Sequence, residues 1–205
     1  MPPIRYLALG DSYTIGESVD ESQRWPVQLT RLLEREGHPT QVTIIARTGW
    51  TTDELWKGIQ ATKINPPYDL VSLLIGVNNQ YRGRDIEEYR EQFVFLLKKS
   101  IEYAGGDPAS VIVLSIPDWS VTPFAQTHHA EKITNEIDAF NAVNKAETET
   151  AGAHYIDITP TSREALNDPS LIAADGLHPS GKMYTEWAKL ALPGVLEILD
   201  EEIQK

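Results

Sequence analysis

Short runs of β-forming residues alternate with longer amphipathic segments along most of this chain of 205 residues. Each run is rich in Val, Ile, Leu or Tyr and is bounded by turn residues, which is typical of a buried strand. Strands that alternate with helices form parallel sheets, because each connection must carry the chain back across the sheet. We therefore predict an α/β fold in which helices flank a five-stranded parallel sheet. The predicted strands are Ile4–Leu9, Val42–Ala46, Leu70–Ile75, Val111–Ile116 and His154–Ile158.

The segments between these strands carry apolar residues at helical spacing. In one of them Tyr89, Phe93, Leu96 and Ile101 form a stripe, while charged residues cover the opposite side, as in a helix that packs against a sheet. The predicted helices are Pro26–Arg35, Thr52–Thr62, Ile86–Tyr103, Ala130–Thr150 and Ser180–Ile203. In the last one, a kink or a break is expected at Pro193-Gly194.

The composition is consistent with one globular domain over residues 1–205. Hydrophobic residues make up 41% of the chain, which is enough for a sizeable core. The 18 basic and 30 acidic residues give a formal net charge of −12, which opposes binding to nucleic acid and to anionic membrane surfaces. No apolar stretch approaches the roughly 18 residues that span a bilayer, so membrane insertion is not expected. The absence of cysteine excludes disulfides, thiolate catalysis and Cys-ligated metals.

The start of the chain bears on its location. Met1-Pro2-Pro3-Ile4-Arg5 leads directly into the first predicted strand, which leaves no room for a charged leader and an apolar signal core. We therefore expect a cytoplasmic location, provided that no signal has been trimmed.

Polar residues and glycine stand just after the first three predicted strands, in Gly10-Asp11-Ser12, Arg47-Thr48-Gly49-Trp50 and Gly76-Val77-Asn78-Asn79. Because the carboxyl ends of parallel strands meet at one edge of a sheet, we expect Ser12, Gly49 and Asn78 to lie close together. A serine hydroxyl can act as a nucleophile, and an asparagine amide and a glycine N–H can donate to an oxyanion. Taken alone, Ser12 is more simply explained as a helix cap, and Asn78 is as well explained as a turn residue.

A carboxylate and an imidazole occur together near the end of the chain, in Asp175-Gly176-Leu177-His178. At this spacing the carboxylate can hold one imidazole nitrogen while the other faces a distant serine, as serine hydrolases require. The alternative is that His178-Pro179 simply opens the last helix. The convergence of all these motifs on one sheet edge favours the catalytic interpretation.

With these motifs the chain resembles the GDSL hydrolases, also called SGNH hydrolases, which share serine, glycine, asparagine and histidine in four ordered blocks. The resemblance extends from Gly10 to Ser180. It implies that Ser12 is the nucleophile, that His178 is the general base and that Asp175 orients the histidine.

The resemblance also implies an oxyanion hole formed by the backbone N–H groups of Ser12 and Gly49 and by the side chain of Asn78. It implies the three-layer, flavodoxin-like SGNH hydrolase fold, and Ser12 lacks the Gly-x-Ser-x-Gly elbow of the α/β-hydrolases. The family commonly has aspartate after the asparagine, whereas this chain has Asn79.

The reaction implied by the resemblance is hydrolysis of a small carboxylic ester or thioester through an acyl-serine, which requires neither a metal nor an organic cofactor. Lysophospholipids and acetylated carbohydrates are alternative substrate classes. Two other functions stay open: a flavodoxin-like module that binds flavin phosphate at residues 12–16, and an inactive descendant that binds an ester or sugar without cleaving it.

Several residues lie in loops beside the predicted site. Trp50, Tyr81 and Trp119 are candidates to line a substrate pocket, since long loops at the catalytic edge commonly shape such pockets. Asp11 is expected to hold backbone amides rather than to move protons. The adjacent pair His128-His129 does not suit one metal ion and is expected in a solvated loop, so no metal site is predicted.

Overall fold

Five strands form one parallel sheet in the computed structural model, which describes residues 2–203, with side chains described to residue 200. The strands are β1 Ile4–Gly10, β2 Thr40–Ala46, β3 Leu70–Leu74, β4 Val111–Leu114 and β5 His154–Ile156. Their order across the sheet is β2-β1-β3-β4-β5, and every neighbouring pair is parallel. The predicted sheet is confirmed, and its strand ends differ from the predicted ones by at most two residues.

Eight α-helices lie within residues 2–203. They are α1 Ser12–Ile15, α2 Trp25–Arg35, α3 Thr52–Ala61, α4 Val77–Tyr81, α5 Ile86–Tyr103, α6 Ala130–Thr150, α7 Thr159–Arg163 and α8 Gly181–Ile203. The five long helices match the predicted ones closely. By contrast, α1, α4 and α7 were not predicted, because four or five residues are too few to display a helical period. No helix in the described part of the chain is both long and apolar enough to cross a membrane.

The last helix continues through Pro193 instead of breaking there. A proline inside a helix removes one backbone hydrogen bond. Pro193 is exposed, so this loss lies on the side of the helix that faces water. The long apolar face of α8 is therefore uninterrupted against the core.

The helices pack in two groups around the sheet. In one group α2 packs on α8, and in the other α3 packs on α5 and α5 on α6. Strands β3 and β4 are buried along their whole length, as expected for strands covered on both faces. Trp25 of α2 and Trp187 of α8 are among the largest side chains of the core. The result is a three-layer, flavodoxin-like architecture, as the family resemblance implies.

The register of the strands brings three loops to one edge of the sheet. Gly10 at the end of β1 pairs with Ala46 of β2 and with Leu74 of β3, so these strands end side by side. Gly10 itself tolerates no side chain, because a Cβ atom there would collide with the Leu74 carbonyl oxygen and with Thr14. The residues that follow these strands therefore emerge next to one another.

Candidate active site

A cavity of about 180 Å³ lies at this carboxyl edge of the sheet. Ser12, Gly49, Asn78 and His178 all line it, although they come from four separate segments of the chain. The structure thus brings together the predicted serine, glycine, asparagine and histidine. Asp175 lies behind His178 and is not part of the cavity wall.

Ser12 is the first residue of the one-turn helix α1, and its exposed fraction is only 4%. The Asp11 carboxylate caps this helix by accepting a hydrogen bond of 3.0 Å from the Tyr13 backbone N–H. At the other end, the Gly16 N–H donates to the Ser12 carbonyl oxygen at 3.0 Å. Both ends of α1 are therefore fixed by local hydrogen bonds, which hold Ser12 in place at the cavity.

Asp175 and His178 form a pair within a tight turn. His178 Nδ1 lies 2.6 Å from Asp175 Oδ2, while Asp175 Oδ1 accepts from the backbone N–H groups of Leu177 and His178, each at 2.9 Å. Burial alone would raise the pKa of Asp175, but hydrogen bonds from Ser18, His178 and the backbone outweigh it and hold that pKa well below its usual range. The ionised carboxylate keeps the proton of a neutral His178 ring on Nδ1, which leaves Nε2 as the acceptor.

His178 is 9% exposed, and its ring lies edge-on to that of Tyr13, with 5.8 Å between ring centroids. Within residues 2–203 its Nε2 makes no hydrogen bond, either to the Ser12 hydroxyl or to any other group. Catalytic hydrogen bonds in unliganded enzymes are often long and tighten only around the substrate. This arrangement is compatible with proton transfer between Ser12 and His178.

Gly49, from the loop after β2, and Asn78, from α4, line the same cavity. Gly49 has φ = 86°, a conformation that favours glycine, and its carbonyl accepts a 2.6 Å hydrogen bond from Arg82 Nη2. Asn78 Nδ2 donates to the Trp50 carbonyl at 2.9 Å and lies 3.4 Å from Asp11 Oδ2. Because both neighbours are acceptors, the amide nitrogen of Asn78 is fixed at this position.

Aromatic side chains form the outer wall of the cavity. Trp119 is buried and donates from Nε1 to Gln80 at 2.9 Å, whereas Tyr81 and Phe124 are 53% and 40% exposed at the rim. The rings of Tyr81 and Trp119 meet edge-on, with 5.5 Å between centroids. Tyr81 and Trp119 therefore lie where the sequence analysis predicted pocket residues.

Trp50 is a correction to that prediction. It does not line the cavity, because its ring packs against Gly58 of α3, where a Cβ atom would overlap it. Only its backbone carbonyl reaches the site, as the acceptor for Asn78. Conversely, Phe124 lines the cavity but was not predicted from the sequence. Its ring stacks on that of the exposed His128, with 5.4 Å between centroids. The only sequence signal for Phe124 is its position in the long connection before α6.

Comparison with known proteins settles the family. A family model described as GDSL-like Lipase/Acylhydrolase matches residues 8–185. The chain belongs to this family. Among curated proteins, none matches the sequence significantly.

Solved structures of GDSL and related esterases share the fold. The esterase EstA from Pseudoalteromonas sp. is 16% identical, with a TM-score of 0.72 over 96% of this chain and 98% of that one. An acetylxylan esterase from Geobacillus stearothermophilus is 20% identical, with a TM-score of 0.72 over 94% of each chain. A lipolytic G-D-S-L protein from Veillonella parvula is 21% identical, with a TM-score of 0.70 over 93% of this chain and 97% of that one. The similarity covers nearly the full length in each case.

Asn79, where the GDSL family commonly has aspartate, anchors the start of α3. Its Oδ1 accepts from the Thr52 N–H at 3.1 Å, and its Nδ2 donates to the Thr52 hydroxyl at 2.8 Å. The hydroxyl in turn donates to Gln92 Oε1. An aspartate at position 79 would instead accept a hydrogen bond from the Thr52 hydroxyl. The Asn79 amide donates to that hydroxyl, which leaves its proton for the hydrogen bond to Gln92. Asn79 is fully buried, and it fixes the loop beside Asn78 without reaching the cavity.

Asp11 is a fully buried carboxylate next to Ser12. Burial raises its pKa from 3.8 to about 7, despite the opposing hydrogen bond from the Tyr13 N–H. The folded protein therefore keeps the Asp11 proton between about pH 4 and pH 7, whereas the unfolded chain releases it. Since the folded state binds more protons in this window, stability falls as the pH rises through it.

We expect the Asp11→Asn variant to lack this loss of stability. The pKa of Asp11 differs by roughly 3 units between the folded and unfolded states, and each unit is worth about 1.4 kcal/mol. The unfolding free energy of the variant should therefore rise by up to about 4 kcal/mol relative to that of the wild type between pH 4 and pH 8. Urea unfolding of both proteins across this range measures the gain, and other titrating groups cancel in the comparison. A difference in unfolding free energy that stays constant with pH would contradict the raised pKa.

Proposed function

We propose that this protein is a serine hydrolase that cleaves small carboxylic esters or thioesters through an acyl-Ser12 intermediate. The observation that carries the proposal is the shared cavity of Ser12 and His178, with the Asp175 carboxylate on the far nitrogen of the imidazole. Family membership gives independent support. In this role Ser12, His178 and Asp175 act as a catalytic triad.

Acylation begins when Ser12 Oγ attacks the substrate carbonyl carbon and His178 Nε2 takes the hydroxyl proton. The charge that develops on the carbonyl oxygen is stabilised by the N–H groups of Ser12 and Gly49 and by Asn78 Nδ2, each worth roughly 3 kcal/mol when well aimed. Asn78 exchanges its long 3.4 Å contact with Asp11 for the oxyanion and keeps its hydrogen bond to the Trp50 carbonyl. His178 then passes its proton to the departing alcohol or thiol as the bond to the acyl carbon breaks. The ionised Asp175 stabilises the imidazolium that forms in between.

Deacylation repeats the sequence with water. His178 Nε2 removes a proton from a water molecule that attacks the acyl carbon, and the proton then returns to Ser12 Oγ as the acid leaves. No step in this scheme involves a metal or an organic cofactor. The scheme uses only Ser12, Gly49, Asn78 and His178 of the cavity wall, together with Asp175 behind His178.

The cavity wall favours a neutral, compact acyl group. Apolar and aromatic side chains dominate it, and none of its described lining residues carries a permanent charge. A cavity of roughly 150 Å³ with apolar walls holds a benzene molecule, so about 180 Å³ accommodates an acyl chain of only a few carbons. The same walls argue against a flavin phosphate site, and Thr14 of the proposed phosphate loop is fully buried against the sheet.

A panel of p-nitrophenyl esters tests the function and the substrate class together. We expect the kcat/KM for acetyl to hexanoyl esters to exceed that for decanoyl by at least about tenfold, because the longer chain leaves apolar carbons in water. A preference for decanoyl would contradict a compact acyl site. No hydrolysis of any ester in the panel would count against the proposed activity.

A phosphonate ester provides the control that links hydrolysis to Ser12. A structure of the Pseudoalteromonas esterase is described as inhibited by monoethylphosphonate. We expect Ser12 Oγ to attack the phosphorus of an activated ethylphosphonate and to displace its leaving group, while His178 takes the hydroxyl proton. One phosphonyl group is then added per chain, at Ser12, and the rate of hydrolysis falls in proportion to the fraction of protein modified. Modification at another residue would separate the activity from the proposed nucleophile.

A further inference from the structure

The turn Gly16-Glu17-Ser18, here called the Ser18 turn, follows α1 and contacts both Ser12 and Asp175. Ser18 has φ = 63° and is the only residue other than glycine with positive φ in the described part of the chain. L-residues rarely adopt this conformation, and those that do often lie at functional sites. Ser18 therefore has a backbone conformation that few residues other than glycine adopt.

Ser18 is hydrogen-bonded to Asp175. Ser18 Oγ donates a hydrogen bond of 2.7 Å to Asp175 Oδ2, the same oxygen that lies 2.6 Å from His178 Nδ1. Asp175 Oδ1 is already occupied by two backbone N–H groups. Ser18 therefore completes the set of donors that fixes the carboxylate.

The Ser18 turn is itself fastened to two other parts of the site. The backbone N–H groups of Gly16 and Glu17 both donate to the Ser12 carbonyl at 3.0 Å. The Glu17 carboxylate accepts a hydrogen bond from the hydroxyl of Thr48, the residue before Gly49. The Ser18 turn is thus hydrogen-bonded both to Ser12 and, through Thr48, to the loop that carries Gly49.

We propose that Ser18 is a positioning residue, which holds the Asp175 carboxylate in register with the His178 ring and partly compensates its charge. The inference rests on the proposed role of His178 as general base. Without the Ser18 hydroxyl, Asp175 Oδ2 keeps a single protein donor, and only the two backbone N–H groups on Oδ1 then hold the carboxylate in register with Nδ1. The uncompensated negative charge also favours the protonated form of His178.

Other ionisable groups surround the same pair. The negative charges of Asp11, Asp118 and Asp175 help to raise the pKa of Tyr13, whose ring lies edge-on to that of His178. The charge of Glu17 contributes to the raised pKa of the neighbouring Tyr184. All of these groups are retained when Ser18 is replaced. A change in the titration of His178 is then attributable to the lost hydroxyl.

Ser18→Gly is the informative variant, because glycine removes the hydroxyl and also adopts positive φ without strain. We expect kcat/KM for p-nitrophenyl acetate to fall about tenfold, by analogy with the lower end of the loss seen when partners that orient metal-binding histidines are removed. In the Asp11→Asn background, where Asp11 no longer titrates, the acid limb of the pH profile reports the His178 imidazole and should move to higher pH by a few tenths of a unit. Thermal stability should not fall, and Ser22→Gly in the next turn serves as the matched control.

Ser18→Asn tests rescue, because asparagine tolerates positive φ and its amide can donate to Asp175. We expect it to recover part of the lost activity. NMR titration of the histidine rings gives a readout that does not depend on turnover: the midpoint of His178 should rise in Ser18→Gly, while those of His38 and His154 stay in place.

The outcomes separate the two proposals. If Ser18→Gly matches the wild type in kcat/KM and in the His178 titration, Ser18 has no positioning role. Lost activity with an unchanged His178 titration and no recovery in Ser18→Asn also overturns it, in favour of a purely structural effect. Activity that survives Ser12→Ala would overturn the proposed function instead, and the NMR titration still decides whether Ser18 controls the Asp175–His178 pair.

Discussion

The Ser12→Ala variant is expected to lose ester hydrolysis by a factor on the order of 10⁵ in kcat/KM. The hydroxyl that disappears is the atom that forms the bond to the acyl group, so no acyl-enzyme is possible without it. The other aliphatic hydroxyl in the cavity wall, that of Thr48, donates to Glu17 and is not paired with His178. Residual hydrolysis would come from the oxyanion donors and from substrate binding alone.

This loss should occur without unfolding. The side chain of Ser12 faces the cavity, and its hydroxyl makes no hydrogen bond with the described residues, so alanine leaves no buried group unpaired. Melting temperatures within a few degrees of the wild type are expected, and Ser22→Ala, on the exposed turn before α2, is the matched control. Full activity in a folded Ser12→Ala protein would refute the assignment of the nucleophile.

Much of the fold was predictable because its strands and long helices have clear local patterns of apolar residues. A run such as Leu70–Leu74 is apolar throughout, since it is covered on both faces, and α5 carries one continuous apolar stripe. Once the strands are placed, parallel pairing puts their carboxyl ends at one edge. This explains why Ser12, Gly49 and Asn78 meet at one cavity although they are distant in sequence.

The details of the site depend on tertiary packing and were not predictable. No local sequence pattern indicates that the Trp50 ring packs on Gly58 outside the cavity, or that Phe124 lies at the rim of the cavity. The contact between Ser18 and Asp175 joins opposite ends of the chain, and no local sequence signal indicates the positive φ of Ser18. The single domain over residues 1–205 and the cytoplasmic location stay predictions, because neither is decided by contacts within the fold.

The His178→Ala variant is expected to lose activity on the same scale as Ser12→Ala, roughly 10⁵-fold in kcat/KM. Without the imidazole, nothing in the cavity accepts the Ser12 proton as Oγ attacks, and the hydroxyl is a weak nucleophile at neutral pH. The double variant Ser12→Ala/His178→Ala should then be no slower than either single variant, because the two groups act in the same step. A further large loss in the double variant would mean that they act independently.

The scale of this effect distinguishes a general base from a residue that merely shapes the cavity. His178 is buried beside Tyr13, so alanine removes packing as well as chemistry, and the melting temperature has to be measured alongside activity. His129→Ala, at an exposed position before α6 and outside the cavity, should retain wild-type kcat/KM and controls for the loss of a histidine. Activity reduced only a few-fold in a folded His178→Ala protein would indicate that another group activates Ser12. The paired carboxylate of Asp175 would then have no catalytic consequence, because its hydrogen bond to Nδ1 orients no other base in the described cavity.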